Sequence, residues 1–138
     1  MKHKMSLAAL FFFLVTTASL SGCASSQAYE GEKLPPERVA LIKGSSHIFG
    51  TTVSITAIDG KDMRWTSGEI QALPGDHELD MHLMSGVYMF YSYARAKVSF
   101  TAKAGHVYRV EGKMRQGKLT GVWVVDEADD SIVGGKKP

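Results

Sequence analysis

Thr51-Thr52-Val53-Ser54-Ile55-Thr56-Ala57-Ile58, followed by Asp59-Gly60, is the stretch on which the fold turns. Apolar and polar residues alternate along it. An extended chain therefore places Val53, Ile55 and Ala57 on one face and Thr52, Ser54 and Thr56 on the other. β-Branched residues fill it, and Asp-Gly ends it with a hairpin signal. His77 to Met84 repeats the pattern, with His77, Leu79, Met81 and Leu83 facing one way and Glu78, Asp80 and His82 the other. Around these lie a short apolar run, Val39-Ala40-Leu41-Ile42, and Glu69 to Leu73 ahead of a Pro74-Gly75 turn. Aromatic-rich Val87 to Tyr93 comes next, then Ala96 to Ala102 alternating through Val98 and Phe100. Gly105 marks a turn before Val107, Tyr108 and Val110, and Val122 to Val125 is the last apolar segment. The acidic stretch Asp126 to Asp130 reads as a solvated end, and a Gly-Gly-Lys-Lys-Pro terminus follows.

No segment shows a sustained helical period. About seven or eight short strands at this spacing predict an all-β fold, a single antiparallel β-sandwich over residues 38–138. A body of about 100 residues can bury a workable core without disulfides or metal. One short helix is allowed for near Met63 to Gly68, or in the segment before Arg38.

The N-terminus has a different grammar. Lys2, His3 and Lys4 form a basic start, Leu7 to Val15 is continuously apolar, and small residues lead into Leu20-Ser21-Gly22-Cys23. These are the three parts of an export signal over residues 1–22. A membrane-spanning helix needs roughly 20 mainly apolar residues, and after Val15 the run degrades through Thr16, Thr17, Ser19 and Ser21. Cleavage between Gly22 and Cys23 is expected. Cys23 is the only cysteine, so the exported domain has no disulfide, and no thiol nucleophile once that sulfur is modified.

Loss of residues 1–22 removes Lys2 and Lys4. The 16 basic residues become 14, which balances the 14 acidic ones and brings the formal charge to zero. A clustered basic face of the kind nucleic acid requires is not indicated. Residues 24–37 are small, polar and proline-bearing, so 23–37 reads as a tether spanning roughly 20 Å by random-coil scaling. Tyr29, Leu34 and Pro35-Pro36 are unusual for a linker and suggest docking along the domain's edge.

Two resemblances follow from these residues. Cysteine directly after Leu-Ser-Gly resembles the lipobox of bacterial lipoproteins, which implies diacylglycerol on the Cys23 thiol and an acylated amino terminus. Ala24, rather than Asp, after the cysteine resembles the outer-membrane class. Tyr29-Glu30-Gly31 with Leu34-Pro35, Val39-Ala40-Leu41-Ile42, Ile58-Asp59-Gly60 and Leu73-Pro74-Gly75-Asp76-His77 resemble a group of small, uncharacterised bacterial lipoproteins. The Leu-Pro-Gly-x-His hairpin is also similar to the PEGA repeat, a small β domain of bacterial surface proteins, although this chain has several extra strands. The resemblance implies a lipid-anchored β domain on the periplasmic side of an envelope membrane. It also implies a binding or scaffolding role towards an envelope protein or the cell wall, and no catalytic residues.

Three sets of side chains are candidates for chemistry. His77, Asp80 and His82, with Glu78, Met81 and Met84 nearby, have the residue types of a copper or zinc site. Alternation along a strand, however, points His77 and Met81 away from the others. Trp65, Tyr91 and Tyr93 are candidates for a partner surface, with Arg95 beside them; in a sandwich, aromatic residues also fill the core. Enzyme signatures are lacking. Ser45 and Ser46 precede His47 without an orienting third group, and Gly44 to Thr52 lacks the spacing and lysine of a phosphate loop. Asp126 to Asp130 lacks the ligand spacing and glycine of a calcium loop. The expectation is a non-enzyme that needs no cofactor.

Overall fold

The structure, a computed structural model, describes residues 25–64, 68–87 and 89–138. The strands are β1 (Ser26–Gln27), β2 (Ala40–Lys43), β3 (Thr51–Ile58), β4 (Lys61–Asp62), β5 (Ile70–Ala72) and β6 (Gly75–Val87), then β7 (Phe90–Ala102), β8 (Val107–Arg115), β9 (Lys118–Asp126) and β10 (Ser131–Lys136). The helical content among the described residues is one 3-10 turn, Pro36–Arg38, opened by a proline whose fixed φ suits a first helical position. All ten strands join one sheet in the order β1-β5-β2-β8-β9-β10-β7-β6-β3-β4. Most neighbours are antiparallel, but β1 runs parallel to β5 and β2 parallel to β8.

The sheet curls until its two halves face each other. Gly112 on β8 shows how closely: a Cβ there would lie 2.3 Å from Leu83 of β6 and 3.1 Å from Val53 of β3. Between the halves Ile42, Leu79, Met81, Leu83, Tyr108, Val110 and Val124 are all at most 1% exposed. The halves meet at two thin seams. On one side β10 reaches β7 through a single pair, Gly134 with Phe100. On the other an isolated bridge joins Ser45 to Val53, whose N–H donates to the Ser45 carbonyl at 2.7 Å.

Alternation explains the strands and one local failure of it. In β6, Leu79, Met81 and Leu83 point inward as their period of two requires. In β3, Val53 and Ile55 do the same, but the register with β6 shifts between Ile55 and Ala57. The extra residue of this bulge re-aims the strand end, so Ile58 enters the core and Ala57 does not. The Asp59-Gly60 turn has φ of 50° and 81°, the left-handed pair that a two-residue hairpin requires.

The all-β expectation stands, with differences in count and arrangement. There are ten strands rather than seven or eight, and the sheet is mixed rather than purely antiparallel. β1, β4 and β5 are two or three residues long, too short to leave an alternation signal. β10 lies beyond the last strand expected from the sequence. It is held as a strand because Gly134 and Gly135 let neighbouring backbone approach to where a Cβ would stand 2.4 and 2.2 Å from it.

The segment expected as a tether is bound to the sheet edge from Ser26 onward. Ser26 N–H donates to the Glu69 carbonyl at 3.0 Å and Ala28 N–H to the Gln71 carbonyl at 2.8 Å. The Tyr29 hydroxyl donates to Gln71 Oε1 and accepts from Leu34 N–H. Residues 1–22, with the expected cleavage residue Gly22, and the lipidation residue Cys23 lie outside the described residues. Among the described residues no helix is long and apolar enough to cross a membrane.

Candidate functional site

The sequence-predicted candidates converge on the β6–β7 hairpin, whose thirteen pairs run unbroken from Gly75 with Ala102 to Val87 with Phe90. Cross-strand pairing sets His82 against Arg95, Met84 against Tyr93 and Asp80 against Lys97 on the outer face. Asp80 and His82, expected as metal ligands, and Tyr91 and Tyr93, expected as a partner surface, therefore share one surface. At its foot Lys97 Nζ binds Glu78 at 2.8 Å and Asp80 at 3.3 Å. Hydrogen bonds to Glu78 and then Asp80 raise the Lys97 ammonium above its ordinary value, so it stays charged between the two carboxylates. Above it the His82 ring stacks on Tyr93 with centroids 6.0 Å apart. Higher still, Met84, Tyr91 and Tyr93 are 37, 47 and 60% exposed, leaving an aromatic strip open to solvent.

Beside this strip the outer face is hollow. A depression of about 790 Å³ lies between Thr56, Asp62 and Arg64 on one side and Asp80, His82 and Arg95 on the other. Arg64 hydrogen-bonds Asp62 through its side chain and backbone, which lowers that carboxyl to about 2. The rim is thus a closed ion pair rather than a proton donor. Trp65, the third aromatic candidate, lies outside the described residues.

His77 does not join the other two metal candidates. Its Nδ1 lies 2.6 Å from Asp59 Oδ2 and its Nε2 lies 2.6 Å from the Leu73 carbonyl, so both ring nitrogens are occupied. Five residues along a strand also put it on the face opposite His82. Among the described residues no group of three His, Cys, Asp or Glu side chains is placed to hold a metal ion. Asp59 accepts in addition from the Glu78 N–H at 2.8 Å. Burial pushes its carboxyl up, but that N–H and the His77 ring outweigh burial and hold it below the ordinary value.

Comparison with protein-family models, with curated proteins and with solved structures finds no match. The chemistry of the surface is therefore argued from its own geometry. A stacked imidazole–phenol pair, an open thioether, and Arg95 over a shallow hollow suit planar or ring-shaped groups and hydrogen-bond acceptors. A nucleophile–base pair with an orienting third group is not formed by the residues on this face.

Sequence reasoning missed a second feature. Ile48, Phe49 and Met89 are each 90% exposed, Phe90 is 85% and Val87 54%. All five sit at one end of the molecule, because Thr51 pairs with Ser85 and so sets the start of β3 beside the end of β6. Their sequence signal was faint: Ile48-Phe49 is an isolated apolar pair before Gly50, with no period to count. An ion-pair chain ties the first of these loops down. His47 Nε2 meets Glu111 at 2.9 Å, Arg109 bridges Glu111 and Glu127, and Lys43 joins Glu127 at 3.1 Å. Burial raises the Glu111 carboxyl, but His47 and Arg109 prevail and lower it overall.

Proposed function

We propose that the chain is a non-catalytic lipoprotein of a bacterial envelope, held through acylated Cys23 to the outer membrane and facing the periplasm. Its β domain acts as a binding or scaffolding module. We read its two half-sheets as the two layers of a sandwich, with the outer face of β6 and β7 as the working surface. Tyr91, Tyr93, His82 and Arg95 there would receive an envelope protein or a cell-wall fragment.

One observation carries the reading: Leu20-Ser21-Gly22-Cys23 stands three residues ahead of Ser26, where the chain is already bonded to the sheet edge. An anchor at that place holds the domain close to the lipid rather than at the end of a long tether. The alternative, copper or zinc held by His77 and His82, is favoured by no observation, since the two rings lie on opposite faces and His77 is satisfied by Asp59 and Leu73.

The test is expression of the full chain in a diderm bacterium, with mass analysis of the mature N-terminal peptide and crosslinking in intact cells. A peptide starting at acylated Cys23, together with a recurrent adduct lost on Tyr93→Ala, supports the reading. An unmodified Cys23 in the membrane fraction overturns the anchor, and absence of any recurrent adduct overturns the binding role.

A further inference from the structure

We infer that the end of the domain carrying Ile48, Phe49, Val87, Met89 and Phe90 is a second membrane contact, which lies against an anionic lipid bilayer beside the anchor. The inference rests on the lipoprotein reading for what brings the domain to a bilayer. It adds which face meets the lipid and how the domain is oriented.

Three independent observations point the same way. The first is apolar exposure. Two loops from different strands present large apolar side chains that touch little of their own protein, and an exposed apolar patch, unlike a lone exposed leucine, calls for an occupant. Phe49 borders an open depression with Thr51, Ser85 and Glu111, but Ile48, Val87, Met89 and Phe90 are not among its walls. A bilayer needs no fitted shape, since separate apolar side chains can enter the boundary between headgroups and acyl chains.

The second is charge. The β8–β9 hairpin leans on the β6–β7 hairpin, with Gly117 so near Ser92 that a Cβ would lie 3.1 Å from its hydroxyl oxygen. That hairpin brings exposed Lys113, Arg115 and Lys118 to the same end. Glu111, the acidic residue next to them on β8, is already bonded to Arg109 and His47. Three exposed cations of one hairpin thus stand beside the apolar tip. Cations near an anionic membrane surface are attracted to it.

The third is chain direction. β2 runs towards the 46–50 loop, β5 runs against β2, and β1 runs parallel to β5. The chain therefore comes into Ser26 from the side of the apolar end. Cys23 is three residues upstream, a reach of at most about 11 Å.

The test uses the acylated protein purified from the envelope and placed in vesicles of phosphatidylethanolamine and phosphatidylglycerol. Because acylation blocks the native thiol, Met89→Cys and, at the opposite end, Lys103→Cys each take a single environment-sensitive label. The expected result is quenching by nitroxide-bearing lipid at position 89 and none at 103. Arg115→Ala should reduce the ratio of inserted to free tips about five-fold, the equivalent of one cation at an anionic surface. Equal quenching at 89 and 103, or none at either, overturns the inference. A wild-type chain that takes up label at Cys23 shows the anchor reading itself to have failed. Quenching at 89, read in the Cys23→Ser chain, then still supports or overturns the lipid contact.

Discussion

The two ends of the rolled sheet are built on opposite rules. At the turn end nearly every polar group meets another part of the chain. His77 bridges Asp59 and the Leu73 carbonyl, Thr101 donates to Asp76, His106 meets Asp126, and the Tyr108 hydroxyl accepts from Lys103 N–H. At the loop end large apolar side chains stand in solvent, although ties such as the ion-pair chain through His47, the Ser46–Thr52 hydroxyl pair and a bond from Met114 N–H to Thr51 Oγ1 hold the backbone beneath them. One end is organised to hold itself together. The other leaves contacts unmade, which is how a surface meant for something else is arranged.

The largest effect should come from the turn end. Tyr108 is 0% exposed and packs edge-on against Phe100 at 5.0 Å. Tyr108→Ala opens a cavity at that end and should cost about 3–5 kcal/mol in chemical denaturation, as for other buried aromatics. Tyr108→Phe keeps the packing and strands only the Lys103 N–H, so about 1 kcal/mol is expected. Similar losses from both variants would mean that hydrogen bonding, not packing, organises this end.

Next comes the seam that joins the half-sheets below the apolar loops. A Cβ on Gly44 would sit 2.1 Å from the Val53 carbonyl oxygen, a backbone atom that cannot swing aside. Gly44→Ala should therefore force the Ser45–Val53 bridge open at about 1–3 kcal/mol, the usual range for overpacking. Amide exchange should quicken at Val53 and stay slow at Tyr108. Uniform quickening would show that the two ends unfold as one unit and would erase the contrast.

What the sequence shows, and what it hides, follows the same division. Strands of eight or more residues with one buried face, such as β3 and β6, announce themselves because burial imposes a period of two. The Asp59-Gly60 turn is equally legible, because few residue pairs tolerate two positive φ values. β5 is buried throughout at Ile70, Gln71 and Ala72, and three residues cannot display a period. The Gly134–Phe100 seam is invisible because glycine signals close approach without saying to what. For the candidate surface, the residues Asp80, His82, Tyr91 and Tyr93 were readable one by one. Their union on a single face depended on a hairpin register of thirteen pairs, which a sequence does not print. The apolar tips escaped because patterning identifies what is buried, and these side chains are not.

A smaller effect is expected from acid. The Asp59 carboxyl is held below its unfolded value of 3.8 by the Glu78 N–H and His77, against burial. A depressed carboxylate stabilises the fold at pH above its unfolded value, and that contribution is lost as pH falls through the lower folded value. Asp59→Asn keeps a residue suited to positive φ and removes the titration. The variant should be less stable than wild type at neutral pH and should lose less stability between neutrality and pH values below 3.8. If the two acid profiles run parallel, Asp59 is not part of what fixes the turn end.

The least change in stability is expected where the most function is proposed. Met89 and Phe90 are 90 and 85% exposed, so folding buries little of either side chain. Met89→Asn and Phe90→Thr remove the apolar surface while keeping residues suited to a turn and a strand. Each should shift the unfolding free energy by no more than about 0.5 kcal/mol, as for ordinary surface positions. This small number is the informative one. If the double variant melts like wild type, the fold does not need these side chains, and their presence must answer to a contact outside the chain. If it melts well below wild type, the tip is packed within the protein in solution. The asymmetry between the ends would then vanish, and the membrane contact with it.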